Sequence, residues 1–340
     1  MRESRLPDNA TIDAAQPVAA ARPRGLDRRT LQTLATFSVL VVMCIVFSLL
    51  SSRFLTLSNF QNLMRNTAPL IIAGSGMTAI MIARGIDLSV GSVLAATSVL
   101  AAALAVAGVP LYAAFGLALC FGAVVGLANG VIIARMQVSA IIVTLGTLNI
   151  GRGIAYLISP SAILVGLPPN WSDLGTSKLG IFPMPIIIAL AVVALFHWLT
   201  TYATFGKRIY AIGGNEEAAR LSGINVERTL TVLYMLCGLT AALAGLVLSS
   251  RVGSGDPNIG VGFELQVIAA VIIGGTSLSG GEGRIVGTVI GALIIGVLSN
   301  GLNLAGVEPF WQYVAQGVVL IAAVIIDRRV NLSVIKVGRR

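Results

Sequence analysis

The sequence predicts an all-α polytopic membrane protein of about ten transmembrane helices, with both termini in the cytoplasm. Three features carry that expectation. Hydrophobic residues make up 56% of the 340 and charged residues 11%, against the roughly 25% charge of an ordinary soluble domain. Charge is also missing over long runs: Leu88 to Ala134 is 47 residues without Asp, Glu, Lys or Arg, and Leu179 to Gly206 and Thr229 to Ser250 are uncharged too. The apolar runs recur at lengths near the ~20 residues that a helix needs to cross ~30 Å of hydrocarbon, where backbone groups must be bonded within the segment.

Taken in order, residues 1–30 are polar and Arg-bearing and read as a disordered cytoplasmic tail. The first apolar run, 31–51, is too long for a signal-peptide core and no small-residue cleavage site follows, so it reads as an uncleaved span. Further spans are expected at 68–83, 89–108, 110–134, 138–158, 183–203, 229–250, 265–281, 285–305 and 309–326. The second and eighth are short and rich in Gly. Such segments are tolerated at membrane depth only where protein covers them or where they line a wet cavity, so they are expected in the pathway and not on the lipid face. Residues 31–327 thus form one transmembrane domain, with a cytoplasmic loop at 205–228 and a basic cytoplasmic tail at 328–340.

Orientation follows from Lys and Arg. With the N-terminus inside, 18 of them fall on cytoplasmic segments and 4 outside (Arg53, Arg65, Lys178 and Arg251), with Arg152 left within a span. That asymmetry is the positive-inside bias. The net charge of +9 is therefore a topology signal, and no soluble basic face exists for nucleic acid.

Catalytic and cofactor signatures are missing. His197, the one histidine, lies in an apolar run beside Trp198, and Cys44, Cys120 and Cys237 fall in spans without CxxC spacing. All four read as packing or interfacial residues. The run Gly274 to Gly283 has Gly275 and Gly280 at phosphate-loop separation, but Gly281 stands where the phosphate-binding Lys must be. No cofactor is expected. Gly122, Gly126 and Gly130 recur every four residues, as do Gly287 and Gly291, which predicts close helix contact.

The one dense cluster of charge in the chain's interior is 207–228, with seven charged residues. Asn215 suits an N-cap, Glu216 and Glu217 offset the helix dipole, Ala218 and Ala219 propagate, and Gly223 supplies a stop, which predicts a two-turn helix from Glu216 to Ser222. Either it enters a groove on a partner or it lies solvated at the headgroups.

EAARLSG at 217–223 is similar to the EAA signature of permease subunits in ATP-binding-cassette importers. GIDLSVGS at 85–92, YAIGGNEEAARLSGINV at 210–226 and AAVIIGGTSLSGGEGRIVGTVIGALIIG at 269–296 resemble the ribose-type permeases of bacterial monosaccharide importers, and the resemblance covers about 35–327. It implies an architecture like that of the vitamin B12 importer permease, in the bacterial inner membrane. It also implies a second permease subunit, a cytoplasmic ATP-binding subunit and a periplasmic sugar-binding protein, ATP being hydrolysed on the partner. Residues 215–223 (Asn215, Glu216, Glu217, Ala218, Ala219, Arg220, Leu221, Ser222, Gly223) then become the coupling helix, and Gly85, Asp87, Gly91, Gly274, Gly275, Gly280 and Gly281 mark structural motifs.

A sugar path needs small polar side chains and no site that traps. Asn149, Arg152, Ser89, Ser92 and Thr97 are the intramembrane candidates. Arg152 could serve a gate, pair with a carboxylate on another span, or snorkel outward. Asp87 could cap the third span at Ser89 and Val90, or meet substrate. Arg53, Trp171, Asp173, Lys178, Asp256 and Glu264 are the outer candidates for binding-protein docking, with 159–182 the longest outer loop. Ion coupling would call for acidic residues at span centres, and none is expected there. Autoinducer-2 and branched-chain amino acids remain alternative cargoes.

Overall fold

A backbone that must bond its own polar groups in an apolar solvent is driven to helix, and helices account for nearly all the regular structure. The computed structural model describes residues 28–160 and 163–337. The tail expected over 1–30 lies outside the described residues, except that α1 already begins at Arg28.

The order is α1 (Arg28–Leu50), α2 (Leu57–Ile82), α3 (Val90–Val106), α4 (Leu111–Arg135) and α5 (Ala140–Ile158). A 3-10 turn at Pro169–Ser172, α6 (Asp173–Thr176) and a minimal hairpin, β1 (Lys178–Leu179) with β2 (Phe182–Pro183), lead to α7 (Met184–Thr201). Then come α8 (Thr204–Gly214), α9 (Glu216–Leu221), α10 (Val226–Val252), α11 (Phe263–Ile273), α12 (Ile285–Leu304) and α13 (Pro309–Val337). Six helices among the described residues are long and apolar enough to cross a membrane: α1, α4, α5, α7, α10 and α12. The basic segment from 328 is not separate from the last helix, because α13 continues to Val337.

The two Gly-rich segments differ from expectation in opposite directions. The second is a full helix of 26 residues, and every residue from Thr67 to Ile82 is buried. It forms the centre of the fold, packed against α7, α10, α11 and α12. Its glycines are there for contact: a Cβ at Gly74 would press on Thr288, and one at Gly76 on Thr240 and the Cys237 backbone. The eighth is the reverse. α11 has only 11 residues, about 16 Å of helix at 1.5 Å per residue, and the chain from Gly274 to Arg284 is not helical.

Polar ties fix α2 against α12. Asn59 and Asn300 exchange amide hydrogen bonds of 3.0 and 2.9 Å, and the hydroxyls of Thr78 and Thr288 lie 2.5 Å apart, all buried. Elsewhere the glycine ridge works as the spacing predicts. Gly122, Gly126 and Gly130 of α4 lie against Gly238, Tyr234 and Thr231 of α10 so closely that a Cβ at any of them would collide with α10 backbone. Likewise Gly287 and Gly291 of α12 abut the carbonyls of Gly274 and Ala270.

Two glycines of α4 give a matched test. Gly126→Ala should lower the melting temperature of the purified protein, in line with the about 1–3 kcal/mol typical of overpacking. Gly116→Ala, with open space around it, should leave melting unchanged or raise it slightly.

Candidate coupling site

The charged loop folds as two short helices. α8 is amphipathic, burying Gly206, Ile209, Ile212 and Gly213 while Lys207 and Arg208 face out. Asn215 ends it in an extended conformation and starts α9, its side-chain oxygen accepting from Ala218 N at 3.0 Å. Gly223 follows with φ 81°, and Ile224 N donates to Ala219 O at 3.1 Å, closing a left-handed C-terminal cap. The helix stops at Leu221, with Ser222 as its C-cap, one residue short of the expected end.

What α9 offers outward is charge around one apolar tip. Ala219 alone of the six is buried and seats the helix, while Leu221 is 81% exposed. Arg220 pairs with Glu216 at 3.3 Å and Glu227 at 3.9 Å. All three are exposed, so these pairs orient side chains more than they stabilise the fold.

Beneath α9 the three separated motifs meet. Gly281 N donates to Ile82 O, the last carbonyl of α2, at 2.8 Å. Gly213 of α8 sits on the same spot, where a Cβ would strike both Ile82 O and Gly281 N. Arg84, held at φ 66°, donates from Nε to Ser279 O at 2.8 Å and from Nη2 to Gly214 O at 3.0 Å. Tyr210 completes the tie, its hydroxyl donating to Gly283 O at 2.7 Å. Gly275, Gly280 and Gly281 all have φ between 75 and 86°, and at Gly280 a side chain would also collide with Arg84. Nothing in the sequence shows that 84–92 and 274–287 touch; Arg84 at Ser279 and Gly280 is where they do.

Asp87 begins a second connection. Its Oδ1 accepts from Ser89 N at 2.9 Å and Ser89 Oγ at 2.5 Å, but no bond reaches Val90 N, so the cap is one residue less than expected. Asn129 Nδ2 donates to Ser89 Oγ at 3.2 Å, and Thr147 Oγ1 donates to Asn129 Oδ1 at 2.6 Å. A string of polar groups therefore runs from the α2–α3 loop through α4 to α5. Asn129 and Thr147 were missed in the sequence, although a lone Asn between Gly126 and Gly130 was a signal. Asp87 Oδ2 is buried without a partner among the described residues. Burial pushes the carboxyl above the usual carboxylate range, against the downward pull of its Ser89 bonds.

The intramembrane candidates divide. Ser92 and Thr97 are buried and donate to their own helix, Ser92 to Ser89 O at 2.9 Å and Thr97 to Val93 O at 2.8 Å. They stand where Gly151 of α5 and Gly245 of α10 press on α3. Asn149 is exposed and bonded to Leu145 O. Arg152 donates from Nη1 to Pro257 O at 2.6 Å and Ile259 O at 3.1 Å, and Tyr156, one turn on, donates to Asn258 Oδ1 at 2.8 Å.

Those partners belong to a non-helical segment of successive turns, 253–262, that runs down α3: Gly255 lies at Ala102 and Val99, Gly260 at Leu94 and Gly91. Glu264 follows at the start of α11 with its carboxylate against Gly91, so it faces inward and not toward the outer surface. Asp256 is engaged in a turn with Asn258 at 2.8 Å. Trp171 is corrected similarly. It is 1% exposed, edge-on to Phe115 at 5.1 Å, and donates to Ser249 O at 3.3 Å. Gly175 N also bonds Ser250 Oγ at 2.9 Å, so the loop is pinned to the end of α10 and the indole is its anchor. Arg53, Asp173 and Lys178 remain exposed, Lys178 bonded to Gln61.

Comparison with known proteins matches the family described as the permease component of the branched-chain amino acid transport system over residues 59–324. The chain belongs to this permease family. Among its relatives, the ribose import permease protein RbsC of Bacillus subtilis (strain 168) is 45% identical over 304 residues, covering 88% of this chain and 94% of its own. RbsC of Escherichia coli (strain K12) is 43% identical over 297 residues, 85% and 92% of the two chains. The L-arabinose transport system permease protein AraH of the same strain is 39% identical over 295 residues, 87% and 89%. No solved structure matches the permease.

The raised carboxyl makes a signed prediction. Asp87 binds its proton more tightly folded than unfolded, so the permease should lose stability as pH rises through the folded pKa. Melting of the purified permease across pH should show that decline, and Asp87→Asn, which keeps an acceptor for Ser89 N, should flatten it. A second measurement concerns Gly213: Gly213→Val should lower melting more than Gly214→Val, because Gly214 has open space.

Proposed function

We propose that the chain is the membrane-spanning subunit of an ATP-driven importer in the bacterial inner membrane, and that it carries a monosaccharide. The observation that carries this reading is α9: a capped, exposed helix that follows directly, through Asn215, from a junction joining the end of α2, the end of α8 and the loop before α12. A helix so placed can take the motion of a cytoplasmic ATP-binding subunit and pass it on without bending, because the junction has no slack at Gly213 or Gly281. Residues 215–223 are the coupling element in this account, and the ten-span topology has both termini inside.

The pathway is assigned to a face of α5 that the single chain leaves open. Asn149 lies there with Gly146 and Gly153, neither of which has a neighbour within 4 Å. In a homodimer two such faces would enclose small and amide groups, suited to hydroxyls and too weak to hold a sugar fast. Arg152 serves as the latch that keeps 253–262 against α5. Outside, Arg53, Asp173 and Lys178 are the charges left to meet a periplasmic sugar-binding protein. The ribose and arabinose relatives support a sugar over the amino acids in the family's description.

Coupling is tested on the complete transporter in vesicles. Gly223→Val, which forces a β-branched residue into the left-handed region at a strain of about 1–2 kcal/mol, and Glu217→Lys should each abolish uptake while the chain stays in the membrane and the partner still hydrolyses ATP. Normal sugar uptake by both variants would end the coupling reading. For Arg152→Ala, uptake should fall further than membrane abundance; equal losses would mean a structural role alone.

A further inference from the structure

One cavity takes no part in coupling or transport. Between α1, α7, α8 and the start of α12 lies a cavity of about 630 Å³, lined by Lys207, Arg284, His197, Thr201 and Thr33 among others. Two of these are cations. Neither the Lys207 ammonium nor the Arg284 guanidinium has an ion-pair or hydrogen-bond partner among the described residues, whereas Arg84, Arg152 and Arg220 are all engaged. Glu282 lines the adjoining cleft with Arg284, Gly274 and Gly275 and forms no ion pair with either cation among the described residues.

Depth is marked independently. Trp198 and Tyr202, at the end of α7 that opens on the cavity, are 56% and 69% exposed. Large exposed aromatics with polar ring atoms belong at the membrane–water interface. Val286 and Gly287, in the first turn of α12, also line the cavity, and no side chain caps that turn, so its N–H groups add positive potential.

We propose that this cavity holds the phosphate headgroup of an anionic phospholipid of the inner leaflet, with Lys207 and Arg284 as its charge partners and the acyl chains running outward along α1 and α7. Two unneutralised cations at the rim of an interfacial cavity between spanning helices are what such a headgroup recognises, and a protein partner would have to reach them past the bilayer side marked by Trp198 and Tyr202. The site rests on the cytoplasmic placement of 205–228. Because Lys207 belongs to the helix that ends at Asn215, a bound lipid would also steady α8 beneath the coupling helix.

The test uses the full-length permease purified in detergent with equal phosphatidylglycerol and phosphatidylcholine, read by native mass spectrometry. Wild-type protein should retain phosphatidylglycerol several-fold over phosphatidylcholine, and the K207Q/R284Q variant should hold both equally. R135Q, a basic residue at the end of α4 outside the cavity, should behave as wild type. A melting curve for K207Q/R284Q close to wild type in lipid-free detergent confirms that it folds. Equal retention by wild type and the double variant would overturn the proposal. So would displacement of the lipid by millimolar inorganic phosphate, or by the purified ATP-binding subunit. Sugar uptake is a separate readout: uptake absent with lipid retention intact would refute the proposed function and leave the lipid site standing.

Discussion

The structure turns on one carbonyl, that of Ile82, where α2 ends. A non-helical stretch such as 274–284 is admissible at the edge of a membrane domain only if its backbone groups find partners, because an unpaired buried amide is destabilising by about 1–3 kcal/mol. Gly281 N finds Ile82 O, and Gly213 presses on the same atom from α8 with no room for a side chain. Three parts of the chain separated by long apolar stretches are thereby fixed to one point. Since α2 is buried on all sides from Thr67, that point is attached to the centre of the fold and not to its periphery.

From there the connections branch. Arg84 spans Ser279 and Gly214, joining the α11–α12 loop to the root of α9. The string Asp87, Ser89, Asn129 and Thr147 leads to α5, whose Arg152 and Tyr156 grip the descending segment 253–262. The end of α8, from which α9 follows, is therefore tied to α2 and to the loop before α12 by backbone contact, and through the string of hydrogen bonds to α5. Glycines in the three motifs serve closeness of approach, and those with positive φ permit the turns that bring the loop back to α2.

Much of this was legible in the sequence where the signal is local. The Asn215 cap, the Glu216–Glu217 first turn and the Gly223 stop defined α9 to within one residue, since capping depends on neighbours in the chain. The four-residue glycine repeat marked the face of α4 that packs closely for the same reason, but not α10 as its partner. Long-range geometry was not legible. Hydropathy cannot separate a full span from a half helix with a non-helical lead-in, so α11 was placed too long and Glu264 on the wrong side of its segment. Nor can it say that Trp171, in a loop rich in Pro, is an anchor under Phe115 and not a surface contact. Asn129 escaped because a single amide inside a glycine ridge reads as filler until Ser89 and Thr147 are seen on either side.

The central claim is that α9 and the junction beneath it move as one body. It is tested most directly by pulsed electron–electron resonance on the complete transporter, with spin labels at Ser222→Cys and Ser279→Cys in a chain whose own three cysteines have been replaced. Through nucleotide binding and hydrolysis the distance between those two labels should stay fixed, while the distance between Ser222 labels across the proposed homodimer changes. A Ser222 to Ser279 distance that shifts with nucleotide would mean the coupling helix flexes on its seat, and the account of a rigid relay from Ile82 outward would be wrong.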